Sequence, residues 1–152
     1  MKKQIARTFT AALGLLMLFA AAAVGHAQTG RRAVVEVPFD FYAGQRQMPA
    51  GRYTVRPVSQ DGSKMLLIQS EDGRASSAVL TYAAEGPAAP AAAGLTFRQY
   101  GGQYFLATVF IKGAAGAREL PASKAEKRLR TDLRAKAADP EAKSVTVIGS
   151  VQ

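Results

Sequence analysis

Apolar and polar residues alternate along much of this chain. From residue 33 onward, Val35, Val37, Phe39 and Phe41 fall on one side, and Val34, Glu36, Pro38, Asp40 and Tyr42 on the other. Period two is the signature of a half-buried strand. Pro38 has no N–H for a ladder hydrogen bond, which predicts a sheet edge or a bulge there. Residues 43–46 and Pro49-Ala50-Gly51 read as turns. Residues 52–58 alternate again, with Tyr53 and Val55 inward and Arg52, Thr54 and Arg56 outward. Two related turns, SQDG at 59–62 and SEDG at 70–73, flank a strand at 64–69 and are followed by another at 76–82. An Asp-Gly pair supplies the positive-φ positions of a tight turn, so these strands predict an antiparallel meander.

The second half adds one hairpin and one helix. Gly101-Gly102 separates strands at 95–100 and 103–112, the strongest hairpin signal in the chain. The latter strand is apolar on both faces. Phe105, Ala107, Val109 and Ile111 share one face, and Tyr104, Leu106 and Phe110 the other. Such a strand belongs at the centre of a sandwich or beneath a helix. Residues 123–138 read as that helix. Ser123 and Glu126 form a capping box, Ala125, Leu129, Leu133 and Ala137 make a narrow i, i+4 stripe, and Asp139-Pro140 ends it. Residues 144–151 are β-branched and read as a last strand. The pattern predicts a mainly β domain. It is an antiparallel meander forming a small sandwich or barrel of about 7–8 strands, with one helix before the last strand.

The amino-terminal residues follow a different pattern. Lys2, Lys3 and Arg7 precede an apolar run at 11–24, and Gly25-His26-Ala27 offers small residues for a signal-peptidase cut. The run is shorter than the ~20 apolar residues of a spanning helix, so residues 1–27 are expected to be a cleaved signal peptide. Residues 28–152 are then one domain, exported to the periplasm or the extracellular space, with no transmembrane segment after cleavage. The Ala/Pro stretch at 85–94 reads as a flexible connector within it.

Composition narrows the chemistry. The chain has 20 basic and 11 acidic residues, a net charge of +9. Cleavage would remove three basic residues and leave +6. That balance suits a phosphate-rich or envelope-surface partner. There is no cysteine, and the one histidine is His26. A chain cleaved after Ala27 would hold no Cys/His metal or haem site and no Ser-His or Cys-His nucleophile pair. No cofactor is expected. Hydrolysis would need paired carboxylates. Glu36 and Asp40, four apart on one strand face, would stand ~13 Å apart, too far for a retaining pair.

Two residue sets are candidates for binding. Lys124, Lys127, Arg128, Arg130, Arg134 and Lys136 crowd the helix and could grip an envelope polyanion. Glu126, Asp132 and Asp139 interleave with them and allow local ion pairs. Nucleic acid is not expected, because the chain is read as exported. Tyr42, Tyr82, Tyr100 and Tyr104 fall near predicted strand ends, where they could stack on a sugar or peptide, or pack across strands. Within residues 37–55, Phe39 and Phe41 are assigned to the core, Gly44 and Gly51 to turns, and Asp40 to a turn before any ligand.

The segments VEVPFDFYAG and PAGRYTV, followed by LLIQSEDG, FRQYGGQYFLATVFIKG and ARELPASKAEKRL, resemble a group of small secreted bacterial β-rich proteins of unknown function. The resemblance implies an exported β domain and brings no activity, ligand or catalytic residue with it. The function expected is a non-enzymatic β-module for binding or envelope structure, whose partner is unknown, with an envelope polyanion and another envelope protein as the candidates. Two alternatives stand: a carrier of a small apolar ligand in a barrel mouth, and a polyanion or envelope-surface binder acting through the basic helix.

Overall fold

The computed structural model describes residues 32–59, 64–84, 92–112, 116–136 and 141–151. The expected signal segment, the first Asp-Gly turn, most of the Ala/Pro connector, Ala137 and Asp139-Pro140 lie outside the described residues. In chain order the strands are β1 (Ala33–Val37), β2 (Phe41–Ala43), β3 (Arg46–Met48), β4 (Gly51–Pro57), β5 (Met65–Ser70) and β6 (Ser76–Leu80). Then follow β7 (Tyr82–Ala83), β8 (Gly94–Tyr100), β9 (Gln103–Phe110) and β10 (Arg118–Glu119). Helix α1 (Lys124–Ala135) precedes β11 (Lys143–Ile148) and β12 (Ser150–Val151).

Among the described residues the strands form two sheets and close no barrel. A five-stranded sheet runs β12-β1-β4-β5-β6, and a seven-stranded sheet is built on β11-β8-β9-β10-β7. In the second sheet the far side of β9 is shared. The short parallel strand β2, which carries β3, takes one end, and β10 takes the other. One hydrophobic core joins the sheets. Val35, Val37, Tyr53, Val55, Leu66 and Ile68 face Phe41, Met48, Leu95, Phe97, Leu106 and Val109 across it. Aromatic rings lock the two sides at their junction. Phe41 meets Tyr53 and Phe97 edge-on, each with centroids 5.2 Å apart, a favoured aromatic geometry. The expected sandwich is the form taken, and its interior is filled by side chains.

Three strands expected as single runs break and change sheets, which raises the number of short strands above the 7–8 expected. The run from residue 33 ends at Val37 and resumes as β2 in the other sheet, so Pro38 lies at a crossing rather than within a ladder. The run 76–82 breaks at Thr81. That residue is fully buried, and its N–H and its Oγ1 both donate to the Lys64 carbonyl at 2.7 Å. The last run breaks at Gly149. A Cβ there would stand 2.3 Å from the Val34 carbonyl oxygen, so a glycine is needed where the chain passes this close to β1.

The β8–β9 hairpin forms as expected around Gly101 and Gly102, both at positive φ. Its register shifts once. Thr96 pairs with Thr108 and Phe97 with Leu106, which leaves Ala107 as the extra residue of a bulge. The bulge reverses the alternation of β9 partway along. Leu106 and Val109 therefore share the core face, while Phe105, paired with Arg98, points to the outer face. The predicted grouping of Phe105 with Val109 and Ile111 is corrected accordingly. Strict period two holds only while every residue is paired.

Candidate functional site

The opening segment resolves into structural roles. The Asp40 carboxylate accepts the Ala50 N–H at 2.8 Å, tying the crossing after β1 to the Pro-Ala-Gly turn. The Tyr53 hydroxyl donates to the Pro49 carbonyl at 2.5 Å. Gly44, at φ 65°, makes the two-residue turn between β2 and β3. In the second Asp-Gly turn, Asp72 accepts from the Ser70 hydroxyl and the Arg74 N–H. These bonds, that of Ser70 first, hold its carboxyl below the ordinary carboxylate value.

The polar centre of the described residues lies instead on the outer face of the larger sheet, beneath α1. Ser123 caps the helix, accepting the Glu126 N–H at 3.1 Å. The reciprocal half of the capping box does not form. The Glu126 side chain turns inward and meets Arg98 of β8 in a two-point contact, Nε to Oε1 at 2.7 Å and Nη2 to Oε2 at 3.2 Å. Glu126 is 1% exposed. The Tyr100 hydroxyl adds a third hydrogen bond, 3.3 Å to Oε1. Arg98 also donates to the Leu120 carbonyl at 3.3 Å and stands 3.9 Å from the exposed Glu119 carboxylate. Burial, then the Glu126 charge, raises the Tyr100 phenol above its ordinary pKa.

The expected stripe residues Ala125, Leu129 and Leu133 are half-buried against the fold, and Glu126 and Arg130 extend the covered face beside them. Ala125, Glu126, Leu129, Arg130 and Leu133 are thus the buried or half-buried positions of the helix. The guanidinium of Arg130 lies 6.0 Å from the centre of the Tyr100 ring, and its Nε is buried without a hydrogen-bond partner. Arg130 thus separates from the other predicted cations. Lys124, Lys127, Arg128, Arg134 and Lys136 are all exposed, and none joins a salt bridge among the described residues.

The four tyrosines do not gather at one place. Tyr42 stacks on Phe105 at 5.0 Å, and Tyr100 meets the same ring edge-on. Tyr104 stacks on Phe39 at 3.8 Å and accepts a hydrogen bond from Gln99. These three pack across strands. Tyr82 remains 48% exposed. It forms one wall of a shallow cleft of about 280 Å³ with Glu119, Pro121 and Arg130, over Arg98 and Tyr100.

Two carboxylates do meet in this cleft, both against Arg98. Both oxygens of Glu126 are taken up by Arg98 and Tyr100, which leaves Glu119 as the accessible acid. The cleft can hold a small polar group beside an aromatic ring. Among the described residues, no group of three or more His, Cys, Asp and Glu is placed to hold a metal ion. The alternation of Thr96, Arg98 and Tyr100 along β8 was the available hint of this centre. It places a charged residue mid-strand on the face opposite Leu95 and Phe97. Comparison with known proteins finds no matching family model, no matching curated protein and no matching solved structure.

Proposed function

We propose that this chain is an exported, non-enzymatic β-sandwich module that binds an envelope partner, with the solvent side of α1 as its binding face and a polyanion as its ligand. One observation carries the reading. Glu126, the acid expected to neutralise the helix cations, is turned inward onto Arg98. The exposed side of α1 is left with five cations against one exposed acid, Asp132. Lys124, Lys127 and Arg128 lie on the side away from Glu126, with Arg134 on its flank; all four are exposed, so an array of anions could meet them together. The absence of an aromatic or leucine-rich face on α1 argues for surface attachment rather than insertion into lipid.

The carrier alternative has less support. The space between the sheets is occupied by large side chains such as Tyr53, Phe41, Phe97 and Met48, and among the described residues the sheets close no barrel whose mouth could hold a ligand. Enzyme chemistry is also poorly supported, since Glu126 is enclosed and Glu119 lacks a second accessible acid beside it.

Titration of the purified protein against inorganic polyphosphate, and against vesicles with and without an anionic lipid, tests the reading. Affinity should fall steeply with salt, because each neutralised phosphate releases counterions. Arg128→Glu with Arg134→Glu should abolish binding with only a small loss of thermal stability, since Arg134 lies in the last helical turn. Binding that ignored both salt and these reversals would remove the helix from consideration.

A further inference from the structure

The five-stranded sheet ends at β6, and this edge differs from the other edge strands. Strand β3 carries Arg46 and β11 carries Lys143, while β7 and β12 are two residues long. Strand β6, SSAVL, has five residues with neither a charge nor a proline. Charges, prolines and shortness are the usual guards against strand addition, and β6 has none of them.

The hydrogen-bond pattern shows which groups it offers. The Ser70 N–H donates to the Ala75 carbonyl at 2.8 Å, and the Thr81 N–H to the Lys64 carbonyl at 2.7 Å. In an antiparallel ladder, alternate residues bond to the same neighbour. With the observed register, Ala75, Ser77, Val79 and Thr81 turn inward to β5. Ser76, Ala78 and Leu80 then direct their N–H and C=O groups off the edge, and among the described residues those groups have no backbone partner. The strand beside them would have to be extended, because only an extended backbone matches donors and acceptors at every second residue.

We propose that β6 is a self-association edge, pairing antiparallel with β6 of a second copy about a two-fold axis at Ala78. Three features select a second copy. A two-fold at Ala78 sets alanine against alanine and Ser76 against Leu80, so no bulky or charged side chain opposes its own image. Leu80, 47% exposed, gains a cross-strand neighbour beside Met65, its partner on β5. The antiparallel arrangement also brings Glu71 of one copy, 69% exposed in its contact with Arg52, toward the end of the strand where the other carries Lys64, while Asp72 stays paired with Arg74. The contact is one strand wide, which makes a weak, concentration-dependent dimer whose sheet runs on through both copies.

Sedimentation velocity over a concentration series of about two decades tests this, since a weak dimer follows mass action. The expected result is a mass that rises from one chain toward two. Ala78→Lys leaves the backbone untouched and sets two charges against each other at the axis. Ala78→Pro removes an N–H that β5 does not use. Each should weaken the dimer by about tenfold or more, with the thermal unfolding of the dilute protein unchanged for Ala78→Lys. A mass of one chain across the whole series, or a dimer that persists in Ala78→Lys, would overturn the proposal.

Discussion

The two sheets of the sandwich share a core but treat their outer faces differently. The larger sheet sets Arg98 and Tyr100 beneath α1, and the covering is held by an ion pair to the buried Glu126. The smaller sheet leaves Val58, Met65 and Leu80 exposed on its outer side, with Arg56 beside them. Position along the sequence does not explain the difference. What differs is the partner: Arg98 lies under a helix that brings it a carboxylate, and Arg56 has solvent. Buried charges need partners, whereas exposed ones tolerate change.

That contrast predicts unequal sensitivity. Glu126→Ala should give the largest loss, about 2–4 kcal/mol, because it removes the buried carboxylate and leaves the partly buried Arg98 with only the Leu120 carbonyl and the exposed Glu119. Chemical denaturation measures it, and a loss below about 1 kcal/mol would mean that the pair is not buried in solution. Replacing both partners, Arg98→Met with Glu126→Leu, should restore much of the stability, since an apolar pair of similar volume removes the desolvation cost.

Gly149→Ala comes next. The added carbon meets the Val34 carbonyl where the last strand changes sheets, and relieving the contact should cost about 1–3 kcal/mol. Ser123→Ala removes the helix cap alone and should cost about 1 kcal/mol, with Ser123→Asp retaining most of the stability. Arg56→Ala, on the bare face, should stay within about 0.5 kcal/mol in the same experiment.

Alkaline pH probes the covered face without a mutation. The Tyr100 phenol is raised above its ordinary 10.0, by burial first and by the Glu126 charge second. Tyr53, between the sheets, is raised mainly by burial, with Asp72 and Asp40 adding to it. A phenol with a raised folded pKa releases its proton more readily in the unfolded chain. Its contribution is complete below pH 10 and is lost as pH rises through the folded value. Stability should therefore decline above pH 10. Tyr100→Phe should flatten part of that decline while losing the hydrogen bond to Glu126. An unchanged alkaline profile would show that Tyr100 ionises as freely in the fold as outside it.

Legibility varied with how local the determining interaction was. The Gly101-Gly102 hairpin, the Tyr53 and Val55 core positions and the Ser123 cap follow from neighbouring residues, and each is found where the pattern places it. The bulge at Ala107 was not legible, because a bulge is a mismatch between two strands and only one strand is visible at a time in the pattern. The Ala125, Leu129 and Leu133 side of α1 is covered as the pattern places it, but the inward turn of Glu126 was not legible, for a similar reason. Glu126 reads as a capping-box acid until Arg98, 28 residues away, is placed beneath it. The tyrosines read as one cluster near strand ends, yet their destinations depended on which sheet each strand joined.

The sequence by itself determined that this is a mainly β chain with one capped helix, and which residues fill the core wherever the pairing runs without a bulge. Periodicity and turn chemistry act over a few residues and survive in any arrangement of the strands. Only the tertiary structure decided where each long run breaks to change sheets, that Glu126 belongs to Arg98, and that β6 lies at an edge. Those outcomes depend on which surfaces meet. A buried charge and an unpaired backbone edge are properties of what lies beside a residue, not of the residue or its neighbours in the chain.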